Sequence, residues 1–260
     1  MKKLPLTVVT PSYNQARFIQ KTIVSVLSQK YAGLQYFVID GKSTDATVDI
    51  LKKYSGKLQW VSKKDKGQTD ALNKGIRKSK CTTSDGVFAY INSDDYYLPG
   101  AFAAVVEIFQ KHPEVMWVVG DAKIVDERGK EIQSWVRWYK SFFRLIYFPQ
   151  LLGILNPLPQ PAVFIRTRAL KKVGLFNEKL HYTMDYQMWL RLQTIFGKPY
   201  FVDAVLAAFR IHGASKGTTA FEKQFVEQYE VSRQFFTSPL VKALQKLHNA
   251  IICSVYKELK

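Results

Sequence analysis

The residues with the most chemistry to offer are the adjacent acids Asp94 and Asp95, set in Tyr90-Ile91-Asn92-Ser93-Asp94-Asp95-Tyr96-Tyr97 at the end of an apolar run. Two neighbouring carboxylates repel. A hard divalent cation relieves that repulsion, because Mg2+ and Mn2+ are commonly held by one or two protein carboxylates while water and substrate phosphate complete the shell. Such an ion would neutralise the pair, grip a diphosphate and stabilise it as it leaves. A solvated turn is the plainer account of an isolated Asp-Asp, so the neighbouring motifs decide. Asp40 ends the run Tyr36-Phe37-Val38-Ile39 and precedes Gly41-Lys42-Ser43-Thr44-Asp45. Ser43 or Thr44 can cap the helix that follows, and an acid at a strand end can accept a hydrogen bond from a base N–H or a ribose hydroxyl. Asp185 opens another helical pattern, where the helix dipole favours a carboxylate and where a general base could also stand. His212 follows the last strand pattern in Phe209-Arg210-Ile211-His212-Gly213, and Arg210 and Lys216 are placed to offset phosphate charge.

The elements that must carry these residues alternate. Leu6–Thr10, Gln35–Asp40, Leu58–Ser62 and Val87–Ile91 are short and rich in β-branched or aromatic residues, as buried parallel strands are. Between them, Asn14–Lys30, Thr44–Tyr54 and Thr69–Lys80 carry apolar residues at helical spacing, such as Ile19, Ile23, Val26 and Leu27. That alternation predicts a doubly wound α/β sheet with the ligand beyond the carboxyl ends of its strands. The polar motifs all begin where a strand stops, so three strand ends should converge on one rim.

Downstream, the pattern predicts a helix over Gly100–Lys111, a strand over Val115–Asp121 and a hairpin turning at Asp126-Glu127-Arg128-Gly129. A strand over Ala162–Ile165, a helix opening near Thr167 and another over Asp185–Phe196 follow. Strands near Pro199–Asp203 and Val205–Ile211 then precede a helical tail, Ala220–Lys260, with Leu244, Leu247, Ile251 and Val255 on one face. Residues 1–215 are expected to form the main domain and 216–260 a helical extension, packed on it or at a membrane or dimer interface.

A formal charge of +17 calls for an anionic partner. The excess is uneven: from Ile132 to Asn177 there is no acid at all. Within that span Trp135-Val136-Arg137-Trp138-Tyr139-Lys140-Ser141-Phe142-Phe143-Arg144-Leu145-Ile146-Tyr147-Phe148 interleaves aromatics with cations. It suits either an interfacial helix on an anionic membrane or a helix whose aromatics pack on the sheet while its charges face water. No run approaches the ~18 apolar residues that cross a bilayer, and the expected location is the cytoplasm, with the inner face of the plasma membrane as a peripheral option. Cys81 and Cys253 have no partner histidines at ligand spacing and read as ordinary thiols. Neither a Gly-x-Gly-x-x-Gly nor a Gly-x-x-x-x-Gly-Lys-Ser/Thr occurs, which disfavours a dinucleotide oxidoreductase and a P-loop NTPase.

Seven blocks, in order, carry a resemblance: Thr10-Pro11-Ser12-Tyr13-Asn14, Val38-Ile39-Asp40-Gly41-Lys42-Ser43-Thr44-Asp45, Lys66-Gly67-Gln68-Thr69-Asp70-Ala71-Leu72-Asn73-Lys74-Gly75, Ile91-Asn92-Ser93-Asp94-Asp95, Gln160-Pro161-Ala162-Val163-Phe164, Met184-Asp185-Tyr186-Gln187-Met188-Trp189-Leu190-Arg191 and Arg210-Ile211-His212-Gly213. Together they resemble the family 2 glycosyltransferases of GT-A fold, inverting enzymes of bacterial surface polysaccharide and glycolipid assembly. The resemblance implies that Thr10, Pro11, Ser12 and Tyr13 line the nucleoside pocket and that Asp40 contacts the base, commonly uracil. It implies that Lys66, Gln68 and Asp70 border nucleotide and donor sugar, and that Asn92 and Ser93 belong to the nucleotide site. Asp94, Asp95 and His212 would hold Mn2+ or Mg2+, and Asp185 would be the base. Gln160, Asp95 and Trp189 would lie near donor or acceptor sugar. Asn92 departs from the fuller acidic form of the metal motif and removes one formal charge.

The implied partners are a nucleotide-sugar donor, most simply UDP-linked, and a glycan or lipid-linked glycan acceptor. Two alternatives remain open at this point. A metal-dependent nucleotidyltransferase also pairs a nucleotide pocket with carboxylates, though it normally carries a Gly-rich basic loop where this chain has Pro11-Ser12-Tyr13-Asn14. A basic nucleic-acid-binding protein would account for the charge and leave Asp40, Asp94, Asp95 and Asp185 without a role.

Overall fold

The computed structural model describes residues 4–213 and 221–258. Its first half winds as the alternation predicts: β1 (Leu6–Ser12), α1 (Ile19–Leu27), β2 (Leu34–Asp40), α2 (Thr47–Lys53), β3 (Gln59–Ser62), α3 (Gln68–Ser79) and β4 (Val87–Tyr90). Then come β5 (Tyr96–Tyr97), α4 (Ala101–Lys111), β6 (Trp117–Val125), α5 (Ser134–Leu145), α6 (Pro149–Ile154), β7 (Val163–Arg166), α7 (Thr167–Val173), α8 (Met184–Phe196) and β8 (Tyr200–Arg210). The extension supplies α9 (Phe221–Ser232) and α10 (Pro239–Glu258), two helices rather than one continuous tail.

The strands form one eight-stranded sheet in the order β3-β2-β1-β4-β7-β6-β8-β5. The chain steps outward from β1 to β3 and returns to place β4 on the other side of β1. The carboxyl ends of β1 and β4 therefore flank the topological switch point, where such sheets bind ligands. The sheet is more mixed than expected. β7 runs antiparallel to both β4 and β6, and β5 antiparallel to β8.

Two local expectations change. The two strands proposed after Pro199 are one strand, β8, whose register against β6 shifts on either side of Asp121. The turn at Asp126–Gly129 forms, with Gly129 N donating to Asp126 O, but its return leg pairs only through Val125 and Glu131. The two-residue strand β5 is too short to leave a periodic signal, and it pairs with Ala207 and Ala208.

Strand alternation divides the core between the two sheet faces. Val8, Tyr36 and Val38 join Ile19, Ile23 and Phe102 on one side, while Val9, Phe37 and Ile39 join Leu72, Ile76 and Trp189 on the other. Gly75 lets α3 lie close on β1: a Cβ there would meet Val9 Cγ1 at 2.4 Å. This close approach fixes the height of the α3 N-terminus, and with it Gln68, against the ends of β1 and β4.

Candidate active site

Two loops at the switch point are tied to each other before they touch anything else. Ser43 Oγ accepts from Asn14 N at 2.8 Å, and Asn14 Oδ1 accepts from Thr44 N at 2.8 Å. Asp45 accepts from Ala16 N, and Thr47 Oγ1 from Gln15 N. Asn14 and Lys42 take left-handed backbone angles, φ 51° and 66°, to make the turns. Asp40 is wholly buried beneath this clasp. Its carboxylate accepts from the Ser43 amide and hydroxyl and from the Ser62 hydroxyl. It organises the loop and does not line the cleft.

The cleft itself is a cavity of about 910 Å³ lined by Pro11, Ser12 and Tyr13 at one end and by Asp185, Asp121 and Lys140 at the other. Tyr13 is 59% exposed, so its ring face is available for stacking. The buried Ser12 Oγ, in the same wall, has no partner among the described residues. Asp65 stands beside them, with Oδ1 accepting from Gly67 N at 2.9 Å. Its Oδ2 lies 2.7 Å from where a Cβ on Gly41 would sit, so the glycine makes room for it. Nothing in its neighbours along the chain singles out Asp65, because its contact with Gly41 spans β3 and the loop that follows.

Asp94 and His212 meet here, Oδ2 to Nε2 at 3.0 Å, and both line the cleft. Asp95 points the other way. It is fully buried, with Oδ1 accepting from Arg210 N at 2.8 Å and Oδ2 from Asn92 Nδ2 at 3.3 Å. Burial, then the charge of Asp94, pushes its carboxyl well above the usual range. Only Asp94 of the pair therefore faces the cleft. Thr22 Oγ1 of α1 reaches the carbonyls of Ser93 and Asp95 and holds the loop from behind.

Asn92 is the hub of a neutral network. Gln160 Nε2 donates to the Tyr90 carbonyl, which can only accept, so Gln160 Oε1 must face Asn92 Nδ2 at 3.1 Å. Asn92 Oδ1 in turn accepts from Gln68 Nε2 at 2.7 Å. Gln68, Asn92, Ser93 and Gln160 all line the cleft.

Asp185 is partly buried at the first turn of α8, with Oδ1 accepting from Tyr186 N at 2.7 Å. Burial raises its carboxyl to about 6, against the pull of that amide and of Lys140. The loop before it is stapled by α9: Glu227 accepts from the amides of His181, Tyr182 and Thr183 and from the Thr183 hydroxyl. α9 also puts Phe221, Gln224 and Phe225 into the cleft wall. From α5, Arg137 and Lys140 line the cleft while Arg144 pairs with Asp121 at 2.9 Å. None of these was legible as a site residue.

Several expected residues lie behind the cleft. The Thr10 hydroxyl meets that of Tyr36 at 3.1 Å inside the sheet. Asp70 takes the Lys66 amide and a 2.8 Å pair with Lys74, and neither it nor Lys66 lines the cleft. Trp189 is buried, stacked on Trp117 with centroids 6.2 Å apart. Arg210 is buried between the rings of Phe18 and Tyr96. Lys216, and the boundary drawn at residue 215, lie outside the described residues.

A hard cation can be tested against these donors. Among the described residues no cluster of three acidic, His or Cys side chains closes a shell. Asp94 and His212 supply one oxygen and one nitrogen at the cleft wall, which fits an ion completed by phosphate oxygens and water.

An α/β sheet with a nucleotide-sized cleft at its switch point and carboxylates at both ends defines a class of group-transfer enzymes, and comparison narrows it. Residues 7–174 match the family described as Glycosyl transferase family 2, and the chain belongs to that family. An uncharacterized glycosyltransferase of Rickettsia typhi is 28% identical over 242 residues, covering 91% of this chain and 73% of that one. Chondroitin synthase of Escherichia coli is 26% identical over 200 residues, 75% of this chain and 27% of its own length. Two solved structures share the GT-A fold. The mannosyltransferase PcManGT from Pyrobaculum calidifontis, in complex with GDP-Man and Mn2+, superposes with a TM-score of 0.71 at 15% identity over 96% of this chain and 70% of that one. S. aureus TarS 1-349, in complex with UDP-GlcNAc, gives 0.67 at 18% identity over 88% of this chain and 65% of that one.

Proposed function

We propose that this glycosyltransferase moves a hexosyl or N-acetylhexosaminyl group from a UDP-linked donor to an acceptor hydroxyl with inversion, in the cytoplasm, during assembly of a cell-envelope glycan or glycolipid. The observation that carries the reading is the shared cleft: Tyr13, Asp65, Asp94, His212 and Asp185 all line it.

Tyr13 stacks on the base, and Asp65, whose second oxygen takes no backbone donor among the described residues, accepts a base N–H. The unpartnered Ser12 Oγ meets the nucleoside. Asp94 and His212 would hold Mn2+ or Mg2+, which when bound would neutralise the diphosphate and stabilise it as it leaves. Asp185 takes the proton of the acceptor hydroxyl. The freed oxygen pair attacks the anomeric carbon, and the bond to the diphosphate oxygen breaks with its electrons leaving on that oxygen. Attack from the opposite face inverts the centre. A carboxyl raised to about 6 is a better base than an ordinary aspartate and still ionised near neutrality. Lys140, beside it, keeps it from rising further.

Calorimetric titration of UDP, GDP, CDP and ADP, with and without Mn2+, tests the donor site. UDP binding strengthened by Mn2+ is expected; binding of no nucleotide, or binding indifferent to the ion, would refute it.

A further inference from the structure

α5 is amphipathic in the opposite sense to the usual surface helix. Its cations turn inward: Arg137 to Glu131 at 3.0 Å, Arg144 to Asp121, and Lys140 to the cleft. Four of its large apolar side chains turn outward. Trp135, Trp138, Phe142 and Leu145 are 48%, 67%, 56% and 84% exposed and recur at intervals of three, four and three, a single stripe along the helix. Ile146 and Phe148 prolong it past the helix end. The reading that buries the aromatics on the sheet is thus reversed for Trp135, Trp138 and Phe142, while Tyr139, Phe143 and Tyr147 stay half-buried.

A second stripe lies next to the first. On α10, Leu240, Leu244, Leu247 and Ile251 are exposed at helical spacing. The Tyr139 hydroxyl and His248 Nε2 meet at 2.9 Å, joining the two helices at the residues that follow Trp138 and Leu247. The two stripes flank that contact. Exposed apolar side chains in this number, contiguous on two helices, mark an interaction surface.

We propose that this α5–α10 face docks on an anionic lipid bilayer. Three observations select that occupant. The two elements sit in the acid-free parts of the chain, Ile132–Asn177 and Val231–Lys257, so no carboxylate in either span opposes an anionic headgroup. The whole chain carries +17, which attracts an anionic surface and repels a second copy of itself. Tryptophan is also the side chain suited to the boundary between headgroup and acyl chain. A basic group is at hand there: Lys246 is exposed on α10.

The position of the surface matters for the proposed transfer. The inner side of the same helix lines the cleft through Val136, Arg137 and Lys140, near Asp185. Docking by the outer side brings the acceptor end of the cleft to the membrane, where an acceptor carried on a lipid would present its sugar. The docking itself does not depend on the transfer reading.

The test is sedimentation of the full chain with vesicles of phosphatidylcholine alone or mixed with phosphatidylglycerol, with tryptophan emission followed in parallel. Binding to the anionic vesicles, a blue shift of the emission and weakening by salt are expected. The Trp138→Gln/Phe142→Gln/Leu145→Gln variant should lose roughly tenfold or more of its partitioning, as should Leu244→Gln/Leu247→Gln/Ile251→Gln, with nucleotide binding and circular dichroism retained as proof of folding. Wild-type protein that stays in the supernatant would overturn the proposal, as would variants that sediment like wild type. So would a dimer in analytical ultracentrifugation that either variant converts to monomer, since the face would then belong to a second copy. Absent nucleotide binding with intact vesicle binding would instead sink only the transfer reading.

Discussion

Asn92 Nδ2 lies 3.3 Å from Asp95 Oδ2 and donates to it, and the same nitrogen donates to Gln160. An aspartate at this position would turn both donated bonds into oppositions between acceptors. It would also add a third carboxylate to a loop where one is already buried. Asn92→Asp is therefore expected to destabilise the fold by about 1–3 kcal/mol, the cost of leaving such groups unsatisfied. Denaturant unfolding should show the loss at neutral pH and a partial recovery in acid, where the new carboxyl can protonate and donate again.

Asp185→Asn should keep nucleotide binding and lose transfer by roughly 10²–10⁴-fold, the usual contribution of a general base. In the wild type the rate should rise with pH through about 6, where the carboxyl ionises. The stability dependence has the opposite sign. A carboxyl raised in the folded state binds its proton more tightly than in the unfolded chain, so stability falls as pH climbs from the ordinary aspartate range through about 6. The asparagine variant should therefore be the more stable protein at pH 7, a difference that thermal unfolding at two pH values would expose.

Asp94→Ala should abolish the Mn2+ enhancement of nucleotide diphosphate binding, and His212→Ala should weaken it. Calorimetry of nucleoside and nucleoside diphosphate separates the effects. Nucleoside affinity is set at the Tyr13 end and is expected to stay within about twofold in both variants, well under the 1.4 kcal/mol that a tenfold change would represent.

Glu227→Gln removes the charge that holds the His181, Tyr182 and Thr183 amides. The expected result is a fall in kcat with the donor KM little changed, because the stapled loop carries Asp185 rather than the nucleotide end. Burial works against ionisation of Glu227, but those amides and the Thr183 hydroxyl hold its carboxyl below the usual range. Its stabilising contribution is thus present above the ordinary glutamate pKa and lost as pH falls through the depressed one. Acid unfolding of the variant should lack that component.

The convergence of three strand ends on one rim could be read from the sequence because strand-stop and polar motif coincide there. The GT-A fold followed from the same blocks. What could not be read depends on partners distant in the chain. The inversion of α5 required knowing that Asp121 and Glu131 would lie beneath it to draw its cations inward. Asp65 takes its place only because Gly41, just past the end of β2, leaves a gap. Trp189 follows Asp185 by four residues and should share its helix face, yet its indole turns into the core to meet Trp117. Asp40 and Asp95 show a common limit. An acid at a strand end can face the ligand or can hold the loop that does, and its neighbours in sequence do not say which.

The staple between Glu227 and the loop before Asp185 has a consequence for how this enzyme could be rebuilt. The family match ends at residue 174, so the clasped loops, the Asn92 hub and Asp94 lie within it, while Asp185, His212 and Glu227 lie beyond. Residues from both sides of that boundary line one cleft. A chimera that exchanged residues after 174 as one cassette, α9 included, would carry its base and the scaffold of that base together. A graft that stopped short of α9 would deliver the aspartate without the hand that holds it.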